Sequence, residues 1–405
     1  MKTIAACTFL AWLTCLGLIA CGGNDSASQS SSSSSSGTSK ALFQVPDIPV
    51  KTTVGAKEGK LAIVVWPGYA EDGSTDPKVD WVTPFEHATG CNTTVKVAGT
   101  SDEMITLMRS GRYDGVSASG NASVKMIAGG DVVPIDPKIL AHWADLSPTV
   151  KMKDYNSVAG KLYGAPHGYG ANLLMWRTDK VTPAPTGWDA VFDAGSPYKG
   201  KVTAYDDPIY IADAALYLKA TKPDLKITNP YELTQPQFDA AVALLKQQRK
   251  IIGQYWSDYT KEQAAFTQGD SVLGTTWQVI TNLLHADKVK VRAIKPDGGS
   301  TGWSDTWMLA AKAKHPNCMV AWMNWIESPK TQAQVAEWFG EAPANPKACS
   351  FTSDKTFCDT FHVKDPSYYQ DVAFWATPTR NCRDDRGNTC VDYSKWVQAW
   401  TDVKG

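Results

Sequence analysis

The stretch Leu61-Ala62-Ile63-Val64-Val65-Trp66, closed by Pro67-Gly68-Tyr69, decides how the chain is read. A short unbroken apolar run that ends in a Pro-Gly turn predicts a strand buried on both faces and opening into a loop. Val79–Thr89 then places Val79, Val82, Phe85 and Ala88 on one helical face and stops at Gly90. Thr94–Ala98 alternates as a strand. Ser101 is expected to cap a helix over Asp102–Ser110, with Met104, Ile105, Leu107 and Met108 as its apolar face. Tyr113–Val116 reads as another short strand, Ser117–Asn121 as a loop of small residues and Ala122–Ala128 as a helix. This alternation predicts an α/β fold, an open parallel sheet with helices on both faces. Such sheets bind ligands in the loops beyond their strand ends.

The alternation repeats further along on a new core. Leu162–Gly170 mixes small and rigid residues and reads as a hinge strand leading into Ala171–Trp176. Strands follow at Lys201–Tyr205, Ser271–Trp277 and Val289–Ile294, and helices at Ile211–Ala220 and Phe238–Lys250. Asp206 and Asp207 stand at a strand-to-helix junction, where one can cap the helix and the other face a ligand. A Gly-rich turn, Pro296–Gly299, precedes Gly302-Trp303-Ser304-Asp305-Thr306-Trp307, a carboxylate between indoles. Burying an isolated carboxylate is costly. The hexapeptide therefore marks either a strand end at solvent or a site for an organic cation, which gains roughly 0.5 to 2 kcal/mol per ring.

Two crossings, near Pro166 and Lys295, divide the body into two lobes. The expected boundaries are 58–166 with 299–405 for the first lobe and 167–298 for the second. Trp322, Trp325 and Trp338 lie at helical spacing and read as core, and the extension carrying Trp375, Trp396 and Trp400 is expected to strap the first lobe.

The first residues look like a targeting segment. Lys2 is followed by an apolar run, and Leu18-Ile19-Ala20-Cys21 matches a lipoprotein cleavage site, so residues 1–20 are expected to be removed and Cys21 lipidated. Residues 21–57, with an unbroken serine run at Ser30–Ser36, read as a tether. An exported lipoprotein, held at a membrane in the periplasm or at the cell surface, is the expected form. Net charge is −1 and no basic stripe is present, which argues against nucleic acid. Beyond the signal and Cys21 the cysteines number six: Cys91, Cys318, Cys349, Cys358, Cys382 and Cys390. An even count in an exported chain reads as disulfides. Sequence leaves the pairing open, but Cys349 with Cys358 and Cys382 with Cys390 would each close a short polar loop, leaving Cys91 and Cys318. No C-x-x-C pair exists and the His residues are scattered, so no metal is expected, and no other cofactor. Ser196 and Lys199 fit a serine-lysine spacing without the partner motifs, and no phosphate loop or nucleophile elbow occurs, so no enzyme is expected.

Several segments, in order and spacing, carry a resemblance. These are Trp66-x-x-Tyr69, Ser101–Met104 leading to Gly111–Asp114, Tyr163–Pro166, Tyr198–Gly200 before Asp206-Asp207, the Trp277 strand end, and Trp303–Asp305. Over about Leu61–Ala344 the chain resembles the bacterial periplasmic spermidine/putrescine-binding proteins, the solute-binding subunits of polyamine ABC importers. The resemblance implies the two-lobe type II periplasmic binding protein fold closing over an amine, with Trp66, Tyr69, Tyr169, Asp207, Trp277, Trp303 and Asp305 at contact positions. Tyr210 stands where the family has a second acid, Gly68 replaces an acid, and Ser119, Gly120 and Asn121 replace tyrosines. These departures point away from a full polyamine, toward a diamine or a smaller cation such as an amino-alcohol, a guanidino compound or a quaternary amine. His167 is either a contact or a hinge-packing residue. The implied partners are that ligand and the permease subunits of an ABC importer, with the protein itself a monomer. A sensor that hands its loaded lobe to a membrane receptor would share the fold.

Overall fold

The computed structural model describes residues 44–382, 384 and 386–405. The signal segment, Cys21 and the serine run lie outside the described residues. The end of the assigned tether belongs to the body: Lys51 bridges to Ile135, and Asn317 accepts hydrogen bonds from Lys51 Nζ and the Gly55 N–H.

In chain order the strands are β1 (Lys60–Val65), β2 (Asn92–Val97), β3 (Gly115–Ser119), β4 (Ser157–Val158), β5 (Lys161–Leu162), β6 (Gly164–Ala171) and β7 (Leu173–Arg177). They continue as β8 (Val202–Tyr205), β9 (Ile252–Trp256), β10 (Leu273–Thr276), β11 (Val291–Ile294), β12 (Ser300–Leu309), β13 (Ala342–Pro343) and β14 (Val372–Phe374). One sheet has the order β13-β6-β12-β3-β1-β2 with β14 beside β12, and the other β11-β7-β10-β8-β9; β4 and β5 form a small hairpin. This is an α/β two-lobe fold, but its sheets are mixed, not parallel. β1 runs parallel to β2 and β3, whereas β12 returns from the second lobe and enters antiparallel between β3 and β6.

β1 is buried on both faces, as its composition requires. Leu61, Ile63 and Val65 pack with Phe85 and Trp322, while Val64 meets Met104 and Met126 on the other side. The helix Ser101–Arg109 is capped by Thr100, whose extended backbone lets its side chain accept from the Glu103 N–H; Ser101 is already helical and turns its hydroxyl to Asn121. Ser117–Asn121 is no loop: it completes β3 and opens the helix Gly120–Gly129. Trp322 is fully buried, but Trp338 is 38% exposed and outside the core.

The sheet change falls at Asn172, several residues beyond Pro166, because β6 stays paired with β12 through Ala171. The return falls between Ile294 and Ser300, where Gly298 and Gly299 both take positive φ. Hydrogen bonds tie the two crossings together: Asn172 Nδ2 donates to Thr301 Oγ1 at 2.6 Å, and Thr301 Oγ1 to Asp213 Oδ1 at 2.7 Å.

All three disulfides, Cys91–Cys318, Cys349–Cys358 and Cys382–Cys390, are formed. The C-terminal extension does more than strap the first lobe. β14 pairs with β12 and the Trp375 N–H donates to Gly302 O, but the helix Tyr393–Lys404 buries Trp396 and Trp400 against the second lobe's core, beside Phe238 and Tyr210. The extension is thus a third connection between lobes, made because that helix's apolar face finds its partners only there. Gly120 accommodates it, since a Cβ there would collide with the Trp375 carbonyl. No helix among the described residues is long and apolar enough to cross a membrane.

Candidate functional site

Between the two sheets lies a cavity of about 160 Å³, lined by Trp66, Ser119, Tyr205, Trp277, Trp303, Asp305, Phe339 and Trp375, with Pro67, Gly99 and Ser257–Tyr259 at its border. Trp66 stands just beyond the end of β1, Ser119 ends β3, and Tyr205 ends β8, so strand ends from both sheets converge here. Trp303 and Asp305 come instead from the interior of β12, whose ten residues are all buried. The strand-end reading of the hexapeptide is therefore replaced by a central strand. Its pairing with β6 shifts register between Ser304 and Thr306, the kind of local irregularity that re-aims a side chain.

Asp305 is 3% exposed. Its Oδ2 accepts from the Tyr69 hydroxyl at 2.6 Å, and the same hydroxyl lies 3.0 Å from Glu341 Oε2. A phenol has one proton. With Tyr69 donating to Asp305, the second contact is satisfied when protonated Glu341 donates to the phenol oxygen. Burial, then the nearby Asp305 charge, pushes the Glu341 pKa well up, which keeps that proton in place. Glu341 Oε1 also stands 3.3 Å from His167 Nε2, but neither atom has a hydrogen-bond partner, and burial pushes the His167 pKa down to about 3. The contact is therefore between two neutral groups, not an ion pair. Asp305 itself is pushed up to about 6 by burial, partly offset by hydrogen bonding from Ser119 and Tyr69. Its Oδ1 has no partner meeting hydrogen-bond geometry. Near neutral pH this leaves an ionised, buried and half-satisfied carboxylate among aromatic rings.

Those rings support one another. Tyr205 stacks on Trp375 with centroids 5.4 Å apart, and Trp277 meets Tyr205, Trp256 and Trp303 at 5.5, 4.9 and 6.3 Å. Trp277 Nε1 donates to Asn172 Oδ1 at 3.0 Å, so one wall of the cavity is bonded to the hinge. The indole N–H groups of Trp66, Trp303 and Trp375 are buried and have no acceptor.

Of the residues expected at the site, Trp66, Trp277, Trp303 and Asp305 line the cavity. Tyr69 lies behind Asp305 as its donor, and His167 lies one layer deeper against Tyr69. Tyr169 packs on Tyr369 and Phe374 away from the cavity, and Tyr210 sits in the second lobe's core with its hydroxyl accepting from Gln248 Nε2. Asp207 caps the turn after β8, accepting from the Ile209 N–H at 2.8 Å. Burial pushes its pKa up to about 6, a rise moderated by that N–H and by Lys125. Tyr205, Phe339 and Trp375 were missed. Tyr205 carries the strand-end signal that marked Trp66, whereas Trp375 reaches the site only through the pairing of β14 with β12. No cluster of metal-ligating side chains occurs among the described residues.

Comparison with known proteins agrees with this architecture. The spermidine/putrescine-binding periplasmic protein of Escherichia coli is 25% identical over 333 residues, covering 78% of this chain and 92% of that one. The putrescine/agmatine-binding protein of Pseudomonas aeruginosa is 23% identical over 301 residues, covering 68% and 79%. The solved structure of a spermidine/putrescine ABC transporter substrate-binding protein from Streptococcus pneumoniae superposes with a TM-score of 0.66 at 18% identity, over 85% of this chain and 97% of that one. The bacterial extracellular solute-binding protein model matches residues 80–358. With that match spanning most of the body, the chain belongs to the bacterial extracellular solute-binding proteins, a family that binds solutes and does not catalyse.

Proposed function

We propose that this protein is the solute-binding lipoprotein of an ABC importer and captures a small organic amine cation between its lobes. The observation that carries the reading is Asp305, a buried carboxylate with one unpartnered oxygen inside an aromatic cavity. An ammonium group would supply the missing charge-assisted hydrogen bond, and the faces of Trp66, Trp277, Trp303 and Trp375 would hold its alkyl or methyl groups. The unpaired indole N–H groups favour a ligand with an oxygen beside its ammonium, as in an amino-alcohol. The names of the relatives, which bind spermidine, putrescine or agmatine, support the amine class. The hydrogen bond from Trp277 to Asn172 offers a route from occupancy to lobe closure, and the closed lobes would present the surface that permease subunits read.

The test is calorimetric titration with ethanolamine, choline, butylamine, putrescine and spermidine. Binding in the micromolar range by at least one amine is expected, about −8 kcal/mol; no heat from any of them at millimolar concentration would remove the amine reading.

The Asp305 carboxyl, held near 6, gives binding a defined pH dependence. An ammonium pairs with the ionised form, so below about pH 6 a proton must leave before the ligand binds. Affinity should be level between pH 7 and 8 and fall toward about tenfold per pH unit below 6, with proton release detectable as a buffer-dependent heat. An affinity unchanged from pH 7.5 to 5 would show that Asp305 is not the counter-ion.

Anchoring through Cys21 is part of the same proposal. Cys21→Ser should move the protein from the membrane fraction to the soluble exported fraction, and its retention at the membrane would count against a lipid anchor.

A further inference from the structure

The cavity around Asp305 is rich in hydrogen-bond donors and poor in acceptors, and that imbalance bears on the kind of ammonium it suits. Four of its lining residues are buried: Ser119, Trp303, Asp305 and Trp375. An indole N–H can only donate, so Ser119 and Asp305 carry the side-chain acceptors among these four. The Ser119 hydroxyl is engaged with Asp305, and Asp305 Oδ2 accepts from the Tyr69 hydroxyl at 2.6 Å. What remains for a ligand is Asp305 Oδ1, which has no partner meeting hydrogen-bond geometry. Against that one acceptor stand the indole N–H groups of Trp66, Trp303 and Trp375, buried and without acceptors of their own. The other lining acid, Asp258, is exposed, and its Oδ1 already accepts from the Thr260 N–H at 2.9 Å and the Thr260 hydroxyl at 2.8 Å.

A primary ammonium brings three further donors into this setting. A carboxylate oxygen has two lone pairs, so Oδ1 can take two of them, and a third is left among indole rings after losing its bond to water. Methyl groups in place of N–H remove the unsatisfied donors and keep the charge. A dimethylated nitrogen retains one N–H for Oδ1. A trimethylated one has none, but it gives up no N–H bonds to water and rests its charge against Asp305 and the ring faces. The rings for this are in place: Tyr205 and Trp375 stack at 5.4 Å, Trp277 lies 6.3 Å from Trp303, and Trp303 lies 5.9 Å from Phe339. The cavity volume of about 160 Å³ corresponds to about five waters of the liquid, which suits a compact amine and not an extended chain.

We propose that the cavity selects N-methylated ammonium ligands, tertiary or quaternary, over primary ones, with Asp305 as the counter-charge and the tryptophan faces as the seat of the methyl groups. The inference rests on the amine reading above and narrows it to the substitution of the nitrogen. An oxygen on the same ligand would accept from one of the unsatisfied indole N–H groups.

Ethanolamine, N,N-dimethylethanolamine and choline share one skeleton and differ in the methyl groups on nitrogen. Each is titrated calorimetrically into the full mature chain near neutral pH, where all three carry the positive charge. The tighter of the two methylated ligands should bind at least about tenfold more tightly than ethanolamine. Trp66→Leu, at a half-buried position just beyond β1, should narrow that ratio by at least about threefold, because a ring face is lost while Asp305 is kept. Trp66→Phe, which keeps a face, should retain most of it. Thermal melting reports whether the variants are folded, and the native series decides by itself if they are not. A smaller native ratio, or an unchanged ratio in folded Trp66→Leu, would overturn the proposal and leave the amine reading standing. No heat from any amine, methylated or not, would remove both.

Discussion

Asp305→Asn is expected to weaken amine binding by about thirtyfold or more while the chain stays folded. Removing one member of a desolvated charge pair costs about 2 to 5 kcal/mol, and the lower end of that range exceeds one decade in affinity. Asparagine is close in shape and its Oδ1 can still accept from Tyr69, so the contact that positions the phenol survives. The same substitution makes a second, opposite-signed prediction for the ligand-free protein. A carboxyl whose folded pKa is raised above its unfolded value favours folding below the unfolded pKa, and that contribution is lost as pH rises through the folded one. Near pH 7.5 the ionised Asp305 therefore costs stability, on the order of 1 to 3 kcal/mol from a shift to about 6. Asp305→Asn should raise the ligand-free melting temperature at that pH and abolish its gain with ligand. Native affinity in the variant would exclude Asp305 as the counter-ion. Lost affinity together with a lower melting temperature would instead assign it a structural role.

The second large effect concerns the disulfide between Cys91 and Cys318. It closes a loop with a sequence separation of 227, against 9 and 8 for the other two bonds. Loop-closure entropy grows with the logarithm of loop length, so its loss should cost about 5 kcal/mol, compared with about 2.5 kcal/mol for a short loop. Both sulfurs are fully buried, beside Phe85 and Trp322, which adds a packing loss when alanines replace them. The Cys91→Ala, Cys318→Ala double variant should show a lower urea midpoint than a variant lacking either short bond. An equal or higher midpoint would show that the two ends of the first lobe are held by packing alone.

Lobe architecture was readable because its signals are local. β1 is a β-branched run that either face of a sheet accepts, and the helix over Pro329–Phe339 begins with proline and ends at Gly340 in the left-handed region. Short cysteine spacing carried two disulfides. The boundary near Pro166 was misplaced because the glycines of β6 resemble a hinge in sequence, yet they serve close packing: a Cβ at Gly164 would meet Thr306 and one at Gly168 would meet Glu341. Direction of strand pairing was not legible either, since residues 300–309 carry no mark of which way their neighbours run.

The site divides along the same line. By itself the sequence determined a two-lobe α/β fold, because strands and helices are set by local patterning, and through its resemblance to the polyamine-binding family it implied a shared cleft for Trp66, Trp277, Trp303 and Asp305, the four expected residues that line the cavity. Only the tertiary structure decided which acids remain free. Asp206 and Asp207 are adjacent in sequence and identical in type, but Asp206 meets Lys404, 198 residues away, whereas Asp207 accepts from the Ile209 N–H of the turn it caps. Asp305 stays available because its near neighbours are a phenol, the Ser119 hydroxyl, a protonated glutamate and indole rings, none of which brings a positive charge. Charge neutralisation depends on distance in space, and the third connection between lobes sets those distances here.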